Sequence, residues 1–173
     1  MERLYVLAGK ARSGKDSTFQ FIKEYYKEKK VINLMYGAPV KDYAVMLSSW
    51  DGSEENKPRE LLQKIAVESR NVNPGYTIKR MEEDINILKN YCDIIVITDA
   101  RMPEEVIMPK KKFKEVVTIK LERPNFETSL TEKQQKNITE MALDKFNDYD
   151  NVLVNDGSLD DLKEKVFSFL GGK

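Results

Sequence analysis

Five short apolar runs punctuate the chain: Leu4–Ala8, Val31–Tyr36, Ile94–Thr98, Val116–Leu121 and Val152–Val154. Most are continuously apolar rather than alternating, the pattern of strands buried on both faces of a parallel sheet. Longer stretches of helical period lie between them. Lys15–Lys29 and Lys41–Ser49 follow the first two strands, and Pro58–Arg70 and Tyr76–Tyr91 form a helical insertion before the third. Pro103–Lys112, Glu132–Phe146 and Leu159–Leu170 follow the later strands. Such strand–helix alternation predicts an α/β fold, a three-layer αβα sandwich around a five-stranded parallel sheet with right-handed crossovers. At 173 residues the chain fits a single domain with one sizeable core.

Composition narrows the picture. Hydrophobic residues make up 40% and charged residues 34%, the balance of an ordinary globular protein. Lys plus Arg equals Asp plus Glu at 29 each, so the net basic footprint of a duplex-binding protein is missing and no nucleic acid polymer is expected as partner. The lysine-rich pieces at 27–30 and 110–112 read as solvated helix ends. A lone cysteine, Cys92, permits no intrachain disulfide. The first apolar run is too short for a signal sequence or a membrane span, so a cytoplasmic location and no membrane partner are expected. Histidine is absent altogether. That removes His-activated nucleophiles and His-ligated metals, and one cysteine cannot assemble a zinc cluster.

The strongest motif follows the first strand: Gly9-Lys10-Ala11-Arg12-Ser13-Gly14-Lys15-Asp16-Ser17-Thr18. It satisfies G-x-x-x-x-G-K and departs at the next position, where Asp16 replaces the usual Ser or Thr. Gly9 and Gly14 let the backbone turn tightly and aim consecutive N–H groups at phosphates, and the helix starting near Lys15 adds its positive dipole end. Lys15 can then reach the β- and γ-phosphates of a bound nucleotide. The hydroxyl usual at position 16 ligates Mg²⁺. A carboxylate is also a hard oxygen donor, so either Asp16 or Ser17 can serve that ion, or Asp16 simply favours the helix N-terminus.

With this loop in place, the sequence resembles the bacteriophage-type deoxynucleoside monophosphate kinases, which share a G-x-x-R-S-G-K-D-[ST]-T loop. The likeness continues in Gly37-Ala38-Pro39-Val40-Lys41-Asp42, Pro58-Arg59-Glu60-Leu61-Leu62-Gln63, Thr98-Asp99-Ala100-Arg101-Met102-Pro103-Glu104-Glu105 and Asn155-Asp156-Gly157-Ser158-Leu159. It therefore spans nearly the whole chain. One departure is visible: where the family often carries H-x-[ST]-E, this chain reads Asn137-Ile138-Thr139-Glu140. The resemblance implies a single P-loop kinase domain, with a helical acceptor-binding insertion at about 38–91 and a lid at about 124–140. It implies transfer of the ATP γ-phosphoryl group to a (deoxy)nucleoside monophosphate, with Mg²⁺ as cofactor. A homodimer also follows from it.

Transfer to a phosphate needs little acid–base help, because a phosphate monoester has its second pKa at about 6 and is largely ionised near neutrality. It needs positive charge that aligns two anions. Asp99, at the end of an apolar strand, stands where a carboxylate holds Mg²⁺ through water. Arg101 is placed to grip the acceptor phosphate at the carboxyl edge of the sheet. The alternative is a local Asp–Arg pair that fixes the loop before Pro103. Lys41, Arg59, Arg70 and Arg80 are further acceptor-side candidates, each of which is an ordinary surface cation when taken singly. Tyr36, Tyr43 and Trp50 can stack on a base, although aromatics beside a strand usually belong to the core. By resemblance, Arg123 lies over the adenine, with Asn155 to Gly157 across the same pocket. Lys133 or Lys136 of the lid would reach the phosphates.

Two other readings stay open. A phosphomevalonate kinase of the animal type and a dephospho-coenzyme A kinase share the layout and also need phosphate-binding arginines. A non-catalytic nucleotide-binding protein would accommodate Asp16 and the missing lid histidine.

Overall fold

The computed structural model describes residues 1–124 and 138–171. Strands β1 (Arg3–Ala8), β2 (Val31–Leu34), β3 (Ile94–Ala100), β4 (Val116–Glu122) and β5 (Asn151–Val154) pair in parallel throughout. They form one five-stranded sheet in the order β2-β3-β1-β4-β5. Side chains alternate across it, and both faces are apolar. Leu4, Val6, Ala8, Ile95 and Ile97 enter one core with Met81 and Ile85 of α4 (Tyr76–Leu88) and with Val106 and Met108 of α5 (Pro103–Lys112). Tyr5, Leu7, Val96, Ile119 and Leu121 enter the other, against Phe21 and Ile22 of α1 (Lys15–Tyr25) and Leu162 and Val166 of α7 (Leu159–Gly171). Each fully buried side chain of this size stabilises the fold by about 1.5–3 kcal/mol. The layers are therefore helix, sheet, helix, as the apolar runs predict.

This strand order puts β1 at the centre, so its carboxyl end and the loop that follows lie mid-edge, where ligands bind in open α/β sheets. Between β1 and β3 the register slips by one residue, from Val6↔Ile97 to Ala8↔Ala100. A slip of this kind bends a strand locally and re-aims its side chains. Here it falls beside Asp99. Helices α2 (Ala38–Leu47) and α3 (Arg59–Val72) pack on each other, and α3 buries none of its residues. The short α6 (Ile138–Met141) precedes β5.

Several element boundaries differ from the sequence expectation. Helix α1 ends at Tyr25 rather than Lys29. Tyr26 leaves helical geometry, and its hydroxyl meets that of Tyr5 at 3.0 Å. Strand β2 ends at Leu34 rather than Tyr36, because the backbone N–H of Tyr36 and of Gly37 turn to the Asp99 carboxylate at 2.7 and 2.9 Å. Helix α2 begins at Ala38 rather than Lys41, since Pro39 fits the first turn, where no intrahelical N–H bond is needed. Of the helix expected over Glu132–Phe146, the described part is helical only at Ile138–Met141. No helix among the described residues is long and apolar enough to cross a membrane.

Candidate active site

The loop after β1 is built around backbone conformations that its residue types allow. Gly9 has φ 143° and Gly14 has φ 109°. A Cβ on Gly9 would strike the Leu121 carbonyl oxygen and stand 2.7 Å from Ser13 Oγ. On Gly14 it would stand 2.8 Å from Asn155 Nδ2. Both positions thus need glycine for conformation and for room. Arg12 also takes positive φ, at 60°.

The neighbours hold this loop from outside. Asn155 Nδ2 donates to the Ser13 carbonyl at 3.1 Å, and the Asn155 N–H to the Glu122 carbonyl at 2.7 Å, fixing the residue after β5 to the loop and to the end of β4. Arg123 Nη1 donates to the Arg12 carbonyl at 3.3 Å. Lys15 folds back inside the loop. Its Nζ donates to the carbonyls of Gly9 and Lys10, both at 2.8 Å. The ammonium is therefore already enclosed by the ring of backbone that would receive an anion.

A cavity of about 240 Å³ opens here, lined by Arg12, Gly14, Lys15, Asp16, Ser17, Arg123, Asn155, Gly157 and Leu159. Residues from three separate stretches, all but Leu159 expected on the nucleotide side, meet at this one opening. Of the expected nucleotide-side residues, Gly9, Ser13 and Thr18 do not line it; Ser13 and Thr18 are buried, and the Thr18 hydroxyl has no hydrogen-bond partner. Leu159 was not foreseen, and its position one turn into the N-D-G-S-L segment is the signal that points to it.

Mg²⁺ keeps several waters and takes one or two carboxylates plus substrate phosphates, so a preformed cage is not required. Among the described residues no cluster of three or more carboxylates or other metal-ligating side chains occurs. Asp16 and Ser17 present a carboxylate and a hydroxyl to the cavity beside Lys15, a donor set that suits this ion. Asp99 sits differently. Its two oxygens accept from Tyr36 and Gly37 N–H, and it lines a second cavity rather than the first. Burial raises its pKa, against those two N–H bonds and the charges of Arg101 and Lys41.

The second cavity, about 190 Å³, lies between the β2–α2 turn, the end of β3 and α3. Lys41, Arg59, Arg70, Asp99 and Arg101 line it, so four cations named from sequence converge with one carboxylate. Val40, Leu62 and Ala66 supply apolar wall, and Gln63, Ser69 and Thr77 supply neutral polar groups. The lining thus combines concentrated positive charge with apolar and neutral polar wall. Arg80 is not brought there. It pairs with Asp84 one turn on, at 3.0 Å, on the outer side of α4.

Two charged lining residues escaped the sequence reading. Lys57, from the turn before α3, pairs with Glu54. Glu105 is only 3% exposed. Its Oε2 accepts from the N–H groups of Arg101 at 2.7 Å and Met102 at 3.1 Å. Burial pushes its pKa up to about 7, and the Asp99 charge adds to this, against the Arg101 N–H and the Arg70 guanidinium. Its place three residues after the helix cap, in Met102-Pro103-Glu104-Glu105, marks it as a capping acid but not as a buried one. Among the aromatic candidates, Tyr36 and Trp50 are buried and Tyr43 is exposed; of these only Tyr36 lines the cavity. Most of the expected lid, with Lys133 and Lys136, lies outside the described residues.

No protein-family model matches the chain, and no curated protein does. Solved structures are similar over nearly its full length. A sugar kinase from Janibacter sp. HTCC2649 aligns at 14% identity and TM-score 0.59, covering 99% of this chain and 95% of that one. The APS kinase of Mycobacterium tuberculosis, in complex with AMPPNP and APS, aligns at 13% identity and TM-score 0.53, over 98% of this chain and 97% of that one. A dephospho-CoA kinase from Campylobacter jejuni gives 13% identity and TM-score 0.53, with 98% and 96% covered. At such identities the likeness establishes the fold alone, a three-layer αβα sandwich shared with these kinases.

Proposed function

We propose that the chain is an ATP-dependent (deoxy)nucleoside monophosphate kinase, moving the ATP γ-phosphoryl group onto the acceptor phosphate to give a diphosphate and ADP. The observation that carries this reading is the pair of cavities at the carboxyl edge of the sheet. One surrounds the glycine loop and Lys15, and the other gathers Lys41, Arg59, Arg70 and Arg101 against apolar wall. Two anions that repel each other need such opposed cationic sites to meet.

In this reading the loop N–H groups and Lys15 hold the β- and γ-phosphates, and Arg123 and Asn155 border the adenine. The segment at about 38–91 is the acceptor-binding insertion, and that at about 124–140 the lid. Arg101 and Arg59 fix the acceptor phosphate by their planar forks. An acceptor oxygen attacks the γ-phosphorus, the bond to the β–γ bridging oxygen breaks, and ADP leaves with that electron pair. No base is required, because the attacking oxygen is already ionised. When bound, Mg²⁺ would be held by Asp16 or Ser17 and would neutralise charge on the phosphates. Asp99 positions the β2–α2 turn through its two N–H bonds and keeps lone pairs for a water. A cytoplasmic location and a homodimer accompany the proposal.

The deciding experiment is an ADP-release assay with ATP, Mg²⁺ and a panel of common ribo- and deoxynucleoside monophosphates, with phosphomevalonate and dephospho-coenzyme A alongside. Turnover with one or more monophosphates supports the proposal. A strong preference for either of the last two acceptors, or nucleotide binding with no ADP release from any acceptor, refutes it.

A further inference from the structure

We infer that Glu105 is the positioning residue of the second cavity, a single carboxylate that holds Arg101 with one oxygen and draws Arg70 of α3 in with the other. The inference rests on the acceptor-site reading above and deepens it. Glu105 Oε2 accepts the N–H of Arg101 at 2.7 Å and of Met102 at 3.1 Å. Its Oε1 lies 3.7 Å from Arg70 Nη2, on a helix that contributes nothing to either core. The Tyr36 hydroxyl, from the β2–α2 turn, donates to the backbone carbonyl of the same residue at 2.9 Å. Three walls of the cavity therefore meet at one residue.

A capping acid alone does not explain this arrangement. The third residue of a helix caps equally well in water, and a solvated carboxylate avoids the cost of desolvation. Glu105 is instead 3% exposed, close to the negative Asp99, and lines the cavity. Removing one member of a buried charged pair usually costs more than the pair contributes, so its place is strictly held. The arginine it faces is only partly exposed and also donates to the Ala66 carbonyl at 3.2 Å, which orients the guanidinium along α3. Glu105 thus ties α3, through the Arg70 guanidinium, to the end of the strand that carries Asp99, through the Arg101 and Met102 N–H groups.

The test is Glu105→Gln in the full chain. The amide oxygen still accepts from the Arg101 and Met102 N–H groups, while the charge facing Arg70 is gone. The KM for the acceptor should rise about fivefold, the upper worth of a partly exposed ion pair. The KM for ATP should stay within about twofold, because the donor cavity shares none of these residues. Backbone hydrogen exchange should quicken in α3 and stay unchanged in β1 and β4, which a capping role would not produce. Arg70→Gln provides the same test should Glu105→Gln fold poorly, and should also loosen α3 and raise the acceptor KM alone. The double variant should be no worse than the poorer single one. Unchanged exchange in α3, equal rises in both KM values, or multiplicative losses in the double variant would each overturn the inference. If the wild-type chain phosphorylates no acceptor, the kinase reading falls, while exchange in α3 still decides whether the tether exists.

Discussion

Replacing Lys15 by Met separates what this side chain does for the loop from what it does for a bound phosphate. The methionine stem is close to lysine in volume, so packing is largely conserved at a position 8% exposed. What disappears is an ammonium that donates to the Gly9 and Lys10 carbonyls at 2.8 Å each. Each such bond to a charged group contributes about 1.5–3 kcal/mol, but Lys15 itself lines a polar cavity of about 240 Å³, from which water can take the place of the ammonium. Removing the ammonium also relieves its own desolvation. The net loss of stability should therefore be about 1–2 kcal/mol, a drop in Tm of about 2–8 °C for a chain of this size. Transfer should suffer far more. A preorganised donor to developing charge accounts for about 10²–10³ in rate, and a full positive charge belongs at the upper end. Thermal unfolding and single-turnover ADP release on the same preparation check both numbers. Turnover within a few-fold of wild type would refute the phosphate-binding role. So would a collapse of stability large enough to explain the rate loss.

Three further outcomes follow from the same geometry. Asn155→Ala removes the buried donor to the Ser13 carbonyl, which should cost about 1–2 kcal/mol in urea unfolding and raise the KM for ATP without altering that for the acceptor. Arg80→Ala should leave the melting temperature and both KM values unchanged within error, because its partner Asp84 is one turn away on an exposed face; a raised acceptor KM would contradict the geometry. Burial raises the Glu105 pKa from 4.5 to about 7, so the folded chain holds this proton more readily than the unfolded chain does, and the charge that faces Arg70 is complete only above about pH 7. Its stabilising contribution is complete below pH 4.5 and is lost as pH rises to about 7. Urea unfolding from pH 4 to 8 should show this decline in wild type and not in Glu105→Gln; parallel curves would show that the carboxyl is not so perturbed.

The sheet was legible because its strands are buried on both faces, which leaves unbroken apolar runs such as Ile94–Thr98 that need no partner to be recognised. The glycine loop was legible for a local reason too: φ 143° at Gly9 and φ 109° at Gly14 are demands that sequence meets in place. Distant contacts explain the misses. Tyr36 looks like the last residue of a strand, but a carboxylate 63 residues further on takes its N–H. Glu105 looks like a solvated capping acid, and only the approach of α3 and β3 buries it. Arg80 could have been set aside from sequence alone. Met81 and Ile85 fix the inward face of α4, which leaves Arg80 and Asp84 as an ordinary surface pair one turn apart.

Helix α3 contributes residues to the second cavity and none to either core. A change of side chain there perturbs what the opening recognises at little thermodynamic expense to the sheet. Local opening of this helix also exposes little apolar surface, so it should cost less free energy than opening any strand. The architecture thus separates two kinds of selection. The central strands are answerable to folding, and on the proposed reading the outlying helix is answerable to the acceptor, free to be recast for a new one while the scaffold beneath it stays as it is.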